Sequence, residues 1–319
     1  MKTFVFGFCV VFGGLTAPKT GWRPSPGHTQ ISIWPGAAPD SQAVGGPEAA
    51  TPVTHSLVAG RPWVAVSDVS LPTMTVYSPR GRNTGAAVVV FPGGGFQILA
   101  IDLEGTEVCD WLTSKGITCV LLKYRVPDSG PHWDQRCKCQ VKPKAPMALE
   151  DAQRTVGLVR FHAADWHIDP HKIGVLGFSA GGYLVATIST HFKQRSYAAV
   201  DAADKESCRP NFAVAVYPGH LCEYPGHPCS YKSYQLNPGV PVTPQTPPTF
   251  LVQAEDDPED SVYNSLVYYM ALKNARVPVE MHLFPHGGHA FGLRRTKFSI
   301  TAWPQLVEAW LRTMGMISE

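Results

Sequence analysis

Short apolar segments alternate with longer segments whose apolar residues recur at helical spacing, from about residue 73 to the end of the chain. The apolar segments predict strands at 73–78, 86–91, 117–122, 172–178, 212–217, 249–254 and 279–284. The helical spacing predicts helices at 107–114, 147–165, 180–190, 260–274 and 303–312. Because strands that are apolar throughout need cover on both faces, the pattern predicts an α/β fold with a mostly parallel central sheet between helices.

The pattern changes before residue 60. Residues 18–60 are rich in Pro, Gly, Ala and Ser without a sustained period, which predicts an extended N-terminal arm. Residues 1–17 combine a basic start, a short apolar run and a small-residue exit, which are the parts of a secretory signal peptide. A hydrophobic N-terminal strand is the alternative. We expect a signal peptide (1–17), the arm (18–60) and a single α/β domain (61–319) in a secreted or periplasmic protein.

Composition narrows the classes of partner and cofactor. The formal net charge of +2 comes from interspersed acids and bases, which form no basic surface for nucleic acid or an anionic membrane. The spacing in Cys137-Lys-Cys139 is not that of a zinc site, and we expect no metal and no cofactor.

The eight cysteines divide by their surroundings, and Cys9 would leave with the signal peptide. Cys109 and Cys119 lie in apolar segments and are expected to be buried thiols. One or two disulfides are expected among the cysteines in loop-like stretches, which are Cys137, Cys139, Cys208, Cys222 and Cys229.

A G-x-S-x-G motif places Ser179 directly after the predicted strand 172–178 and directly before the predicted helix 180–190. This strand–turn–helix setting is that of a nucleophile elbow, in which flanking glycines leave room for a strained turn. The helix N-terminus also directs backbone N–H groups at the reaction centre. Ser179 is therefore the candidate nucleophile.

A serine hydroxyl needs a general base, and in this arrangement an acid and then a histidine follow the serine along the chain. Asp256 and Asp257 follow one late strand, while His286 and His289 follow the next. Both loops are at carboxyl ends of strands, where parallel sheets place their sites. Asp257 is favoured because it directly precedes Pro258, and His289 because small residues flank it, but composition leaves Asp256 and His286 open.

Donors for a developing oxyanion are expected in the Gly-rich segment after the strand 86–91. Glycines there allow a turn that directs backbone N–H groups at a substrate oxygen. Gly94 and Gly95 are the candidates, together with Ala180, the residue after the nucleophile; a pair shifted to Gly93 and Gly94 is the alternative. A phosphate-binding loop is improbable, because the segment lacks the required Lys-Ser/Thr and G-x-G-x-x-G spacing.

From Val88 onward the chain resembles α/β-hydrolase esterases of the bacterial acetylxylan and feruloyl type, related to the hormone-sensitive-lipase-like group. The matching segments are 91–96, 150–154, 171–182, 255–258, 264–266 and 287–292, with Trp34-Pro-Gly36 in the arm. In these enzymes the acid usually occurs in D-P-x-V-P-x-x-N-S. Asp257 stands at the matching distance from Asn264, which favours it over Asp256, whereas Asp260-Ser261 replaces the V-P of the pattern.

The residues and the resemblance together predict a serine carboxylesterase that acts on short-chain or aromatic acyl esters. The resemblance implies small-molecule or polysaccharide-linked substrates, with acetyl or feruloyl groups on plant cell-wall polysaccharide. We expect activity to decline below roughly pH 6, where a histidine base becomes protonated. Tyr124 and Trp133, with the Pro-rich loop 126–146, are candidates for a lid or wall, although loop aromatics more often only pack.

Two other functions stay open. A serine peptidase of the prolyl-oligopeptidase kind shares the order of the triad, although such enzymes usually carry a large additional domain that 319 residues leave no room for. A non-catalytic α/β-hydrolase relative that serves in binding is the other. Such relatives usually lack the serine or the histidine, and this chain has both.

Overall fold

A computed structural model describes residues 21–41, 45–127, 132–134, 139–141, 146–222, 229–230, 232 and 234–317. For 132–134, 139–141 and 146 it describes the backbone only. The predicted signal peptide lies outside the described residues.

The elements alternate along the chain as the apolar pattern predicts. The strands are β1 (Gln30–Ser32), β2 (Ala49–Val58), β3 (Arg61–Ser67), β4 (Thr73–Tyr77), β5 (Ala87–Phe91), β6 (Ile98–Ala100), β7 (Thr118–Lys123), β8 (His132–Asp134), β9 (Cys139–Val141), β10 (Ile173–Phe178), β11 (Phe212–Val216), β12 (Thr249–Ala254) and β13 (Val279–Phe284). The helices are α1 (Glu107–Ser114), α2 (Pro146–Phe161), α3 (Ala180–Ile188), α4 (Tyr263–Asn274) and α5 (Trp303–Thr313). A π-helical turn, Asp102–Thr106, leads into α1, and short 3₁₀ turns occupy Ala202–Lys205 and Ser299–Ala302.

An eight-stranded sheet forms the centre of the molecule, in the order β1-β4-β7-β5-β10-β11-β12-β13. The pairs β1–β4 and β4–β7 are antiparallel, and all the other pairs are parallel. The carboxyl ends of β5, β10, β12 and β13 therefore meet at one edge of the sheet, where ligand sites form in open α/β folds.

Both faces of the central strands are covered. Every residue of β5, β10, β11 and β12 is buried, and successive side chains of a strand point to opposite faces. Helices α1 and α5 contact each other through Trp111 and Trp303, and α2 packs against α3. The fold class predicted from the apolar pattern is confirmed.

The predicted arm contributes strands that the apolar pattern does not reveal. β1 pairs with β4, with Ile31 opposite Met74. β2 and β3 form a hairpin, and β6 extends it into a second sheet. The predicted boundary at residue 60 lies in the turn of this hairpin. β2 escapes prediction because most of its side chains are exposed and it therefore has no apolar run.

The cysteines differ from the expectation in part. Cys109 of α1 and Cys119 of β7 form a disulfide, so the prediction that they are buried thiols is wrong; the two elements pack together with 5.1 Å between the Cα atoms. Cys222 and Cys229 form a loop disulfide of the expected kind. Cys208 is a buried free thiol. The side chains of Cys137 and Cys139 lie outside the described residues.

Candidate active site

Ser179 lies in a strained turn between β10 and α3. Its φ of 52° and ψ of −118° are unusual for a residue with a side chain. A Cβ atom on Gly177 would collide with the carbonyl of Gly181, and one on Gly181 would collide with the carbonyl of Phe91. Only glycine fits at these two positions, which accounts physically for the G-x-S-x-G spacing.

The structure brings Ser179, His289 and Asp257 together in one hydrogen-bonded line. His289 Nε2 is 3.0 Å from Ser179 Oγ, and His289 Nδ1 is 2.8 Å from Asp257 Oδ2. Asp257 Oδ1 accepts the backbone N–H groups of Glu259 and Asp260, both at 2.9 Å. The carboxylate is therefore fixed on its own loop while its other oxygen orients the imidazole ring.

The alternative acid and histidine form a pair of their own. His286 Nδ1 is 3.2 Å from Asp256 Oδ2, and Asp256 Oδ1 accepts the backbone N–H groups of Gly287 and Gly288. The side chains of His286 and Asp256 are 68% and 41% exposed. This pair fixes the turn that leads to His289 and lies outside the hydrogen-bonded line at Ser179.

The pKa of His289 is raised above its ordinary value. Burial acts to lower this pKa, but the hydrogen bond and charge of Asp257, together with the charges of Asp260 and Glu104, outweigh it. The proton acceptor is therefore a stronger base than an exposed histidine. The loss of activity on acidification should begin at a higher pH than the ordinary pKa of histidine implies.

The Gly-rich turn after β5 lies beside Ser179. Gly94 and Gly95 have φ values of 131° and 63°, and both line the cavity at Ser179. The N–H group of Gly93 instead donates to Glu104 Oε2 at 2.7 Å. Because the N–H of Gly93 is occupied in this way, the geometry favours the pair Gly94 and Gly95. Ala180 begins α3, where a backbone N–H group has no acceptor within the helix.

The cavity at Ser179 has a volume of about 420 Å³. Its walls come from the turn after β5, the π-helical turn, the loops after β11, β12 and β13, and the hairpin strand β3. The lining residues are Trp63, Gly94, Gly95, Gln97, Ala100, Leu103, Glu104, Ser179, His220, Glu259, Asp260, His289 and Ala290.

Two acidic residues of this cavity were not anticipated. Asp260 Oδ2 lies 3.3 Å from Ser179 Oγ and 3.8 Å from His289 Nε2. Glu104 is buried beneath the Gly-rich turn and accepts a hydrogen bond from Tyr217 Oη at 2.8 Å. The only local signal for Asp260 is its place in the motif after Asp257, where the resembling enzymes have an apolar residue. No local signal marks Glu104, which is one of four acids between residues 102 and 110.

Tyr124, one of the two aromatic residues proposed for a lid or wall, does not line the cavity. Tyr124 is buried, and its hydroxyl donates to the carbonyl of Pro92 at 2.5 Å, so it supports the Gly-rich turn from below. The side chain of Trp133 lies outside the described residues. Trp63 of β3 is the tryptophan that lines the cavity.

The described part of the chain gives two further findings on binding. No group of three or more His, Cys, Asp or Glu side chains there is arranged to hold a metal ion. No helix in it combines the length and the apolar content needed to cross a bilayer.

Several known proteins that are similar to the chain are named as esterases. An acetylxylan esterase of Xylanibacter ruminicola is 30% identical over 243 residues, which are 71% of this chain and 45% of that protein. The chain thus spans less than half the length of this relative. A solved structure, an acetyl ester-xyloside bifunctional hydrolase from Caldicellulosiruptor lactoaceticus, is 32% identical with a TM-score of 0.68 and covers 91% of this chain and 97% of that one.

The fold and the family follow from these comparisons. A carboxylesterase from Lactobacillus plantarum is 21% identical with a TM-score of 0.61, over 85% of this chain and 99% of that chain, which shows a shared fold alone. The resemblance to acetylxylan esterases inferred from the sequence is confirmed. A family model described as the prolyl oligopeptidase family matches residues 106–315. The chain belongs to the prolyl oligopeptidase family and has the α/β-hydrolase fold.

Proposed function

We propose that the protein is a serine carboxylesterase in which Ser179 is the nucleophile, His289 the general base and Asp257 the orienting acid. The observation that carries the proposal is the hydrogen-bonded line from Ser179 Oγ through His289 to Asp257, with distances of 3.0 and 2.8 Å. Distances of this length allow direct proton transfer between the side chains.

The reaction proceeds in two steps. As Ser179 Oγ attacks the ester carbonyl carbon, its proton passes to His289 Nε2, and the negative charge develops on the former carbonyl oxygen. The N–H groups of Gly94, Gly95 and Ala180 stabilise that oxygen. His289 then returns the proton to the departing alcohol oxygen, which leaves an acyl-enzyme. A water molecule that passes a proton to His289 then attacks the acyl carbon. The bond from this carbon to Ser179 Oγ breaks as His289 returns the proton to Oγ, and the acid is released.

The proposed substrates are acetyl or feruloyl esters of plant cell-wall polysaccharide. A cavity of about 420 Å³ is near the lower end of the range for ligand pockets, roughly 300–1,000 Å³, and suits a small acyl group with part of a sugar. The described lining includes Glu104, Glu259 and Asp260 and no Lys or Arg, which favours neutral substrates over anionic ones. The relatives named for acetylxylan and acetyl ester-xyloside hydrolysis support this substrate class.

The second candidate function is cleavage of peptides, because the matching family model is described by a peptidase. The same proton transfers would serve an amide as well as an ester, so the geometry at Ser179 does not favour either. The names of the relatives, which are esterases, favour esters.

The test measures acetate release from acetylated xylan, ferulate release from methyl ferulate and cleavage of a chromogenic peptide with proline at the scissile bond. Ser179→Ala should reduce the ester activity by about 10⁴-fold or more. Esters hydrolysed at equal rates by both proteins would refute the assignment of Ser179. Peptide cleavage without ester hydrolysis would establish the peptidase instead.

A matched histidine pair serves as the control. His289→Ala should match the loss in Ser179→Ala, since neither variant can transfer the serine proton. His286→Ala removes a histidine from the same loop, where it is exposed and bound to Asp256, and should retain activity within a few-fold. Equal losses in both histidine variants would mean that the loop, and not His289 itself, is required.

We also propose that the protein is secreted, on the signal-like sequence of residues 1–17. The disulfides Cys109–Cys119 and Cys222–Cys229 support an oxidising compartment, because such bonds are rare in the cytosol. N-terminal sequencing of protein recovered from culture medium tests this; recovery only from the cytosol with residue 1 intact would refute it.

A further inference from the structure

Glu104 is a buried carboxyl group that the proposed reaction does not use. It lies on the π-helical turn Asp102–Thr106, in which the N–H of Thr106 bonds to the carbonyl of Ile101, five residues back. Such wide turns are rare and occur frequently at functional sites. The Glu104 residue is only 2% exposed, yet the side chain reaches the wall of the cavity at Ser179.

One oxygen of Glu104 holds the Gly-rich turn. Oε2 accepts the N–H of Gly93 at 2.7 Å, immediately before the N–H groups of Gly94 and Gly95 that are proposed to bind the oxyanion. The fit leaves no spare room, because a Cβ atom on Gly93 would lie 2.7 Å from this oxygen and 3.0 Å from Ser179 Cβ. The position of the turn relative to the nucleophile is therefore set by this carboxyl group.

The other oxygen of Glu104 reaches the histidine loop through Tyr217. Tyr217 Oη donates to Glu104 Oε1 at 2.8 Å and accepts the N–H of Gly292 at 3.2 Å. The Tyr217 ring packs against His289, with 4.9 Å between the ring centroids, and against Phe291. Tyr217 has a φ of 36°, a strained value that this double attachment helps to maintain.

We propose that Glu104 is a positioning residue that aligns the oxyanion-binding turn and the histidine loop with Ser179, an inference that rests on the proposed esterase function. Two loops that are distant in sequence share one carboxyl group, which fixes the relative placement of their functional atoms. Because a displacement of about 1 Å can reduce a rate by about 100-fold, such alignment bears directly on turnover.

The charge of Glu104 adds a second effect. Both oxygens of Glu104 accept hydrogen bonds, which is the arrangement of a carboxylate. Burial raises the pKa of Glu104. The hydrogen bonds from Tyr217 and Gly93 and the charge of His289 oppose this increase only in part. The groups that raise the pKa of His289 are Asp257, Asp260 and Glu104. Removing the charge of Glu104 should therefore lower the pKa of His289.

The experiment compares wild type with Glu104→Gln and Tyr217→Phe on a short acetate ester. With its oxygen at the N–H of Gly93, the amide of Glu104→Gln can only donate to Tyr217 Oη, so the Tyr217 hydroxyl loses its own acceptor. In the opposite orientation the bond to Gly93 is lost, and the connection is weakened in either case. We expect kcat to fall about 10- to 100-fold with KM within about threefold, and the acid limb of the pH profile to move to lower pH. The double variant should lose little more than Glu104→Gln alone, because both changes break one connection.

The control is another buried tyrosine–carboxylate pair. Tyr197 Oη donates to Asp204 at 2.7 Å, away from the cavity, so Tyr197→Phe and Asp204→Asn reproduce the general cost of such a change. These variants should lower the melting temperature without changing kcat or the acid limb. Two results for Glu104→Gln would overturn the proposal. One is a lower melting temperature with unchanged kcat, as in the control variants. The other is a lower kcat without a shift in the acid limb of the pH profile.

Three further outcomes of this experiment can be distinguished from one another. If Glu104→Gln does not fold, Tyr217→Phe decides, and an unchanged kcat in it would overturn the proposal. If wild type shows no Ser179-dependent ester hydrolysis, the proposed function fails first, and the alignment proposal falls with it. If wild type hydrolyses the ester and Glu104→Gln has a normal kcat, the alignment proposal is overturned while the proposed function stands.

Discussion

Asp256 and Asp257 are neighbours in the sequence but bind different histidines. The side chain of Asp257 is fully buried and meets His289, whereas that of Asp256 is 41% exposed and meets His286. Consecutive side chains point in different directions, so one residue can face the cavity while the next faces solvent. The two pairs therefore have similar chemistry and different surroundings, and only the pair of Asp257 and His289 is hydrogen-bonded to Ser179, the proposed nucleophile.

Replacing each aspartate in turn should separate the two pairs. Asp257→Asn should reduce kcat by about 10⁴-fold, because an amide stabilises the wrong histidine tautomer and cannot stabilise the imidazolium. Asp256→Asn should change kcat by a few-fold at most. Steady-state kinetics on one short ester measure both, and similar losses in the two variants would contradict the assignment of Asp257.

Asp260 should shift the pH dependence of the reaction. His289 must be neutral to accept the serine proton, and the charge of Asp260 helps to raise the pKa of His289. Asp260→Asn should lower that pKa, so activity should persist to lower pH than in wild type. The profile of kcat/KM against pH measures the shift, with Glu259→Gln as a control that removes a neighbouring charge; an unmoved acid limb in Asp260→Asn would contradict the prediction.

Local sequence marks some residues of the proposed site and not others. Ser179 is predictable because its strained turn requires glycines at fixed offsets, and that requirement is written in five consecutive residues. Glu104 and Tyr217 are not predictable in this way, since they meet only when distant segments pack together. Asp260 is an intermediate case, because the sequence marks it only by its place where the D-P-x-V-P pattern of the resembling esterases has valine.

At the level of elements, the arm is joined to helix α2 by buried charges. Trp34 Nε1 donates to Asp151 Oδ1 at 2.8 Å, and Arg154 Nε donates to the carbonyl of Ile33 at 2.8 Å. Asp151 also binds the side chain of Arg125, which follows β7. The segments 34–36 and 150–154, both part of the resemblance to esterases, are thus two sides of a single contact.

Breaking this contact should destabilise the whole fold. Asp151→Asn removes one of two buried carboxylate partners of Arg125 and leaves Glu150, so it should cost about 3 kcal/mol in the free energy of unfolding, the lower end for a broken buried pair. The control Glu308→Gln weakens an exposed pair with Arg312 and should cost about 1 kcal/mol or less. Urea denaturation measures both; equal midpoints in the two variants would show that the buried contact does not anchor the arm.

The apolar pattern located the central elements closely and missed the peripheral ones for a physical reason. β12 and β13 have the predicted bounds, because apolar residues recur along the whole of each strand, in a run in β12 and at alternate positions in most of β13. β1 has three residues, and the loop 126–146 contains the short pair β8 and β9. Such short strands are defined by backbone pairing, and the pattern of apolar residues gives no signal of backbone pairing.

For the molecule as a whole, the disulfides predict a dependence on redox conditions. Replacing Cys222 and Cys229 by serine opens a loop with a sequence separation of 7, which should cost about 2 kcal/mol in the free energy of unfolding. Thermal unfolding with and without a reductant tests this. Alkylation before reduction, followed by mass spectrometry, should label Cys208 only after unfolding; labelled Cys222 in the folded, oxidised protein would contradict the pairing.

The order of strands in the main sheet also bears on how the chain acquires its function during translation. After β5 and β7 have paired, β10 adds on the free side of β5, and β11, β12 and β13 then each add beside the strand before them at the same edge. The nascent chain can therefore extend its sheet outward without reopening it. Because His289, the proposed base, follows the last strand to be added, the proposed site stays incomplete until nearly the whole described chain has been synthesised.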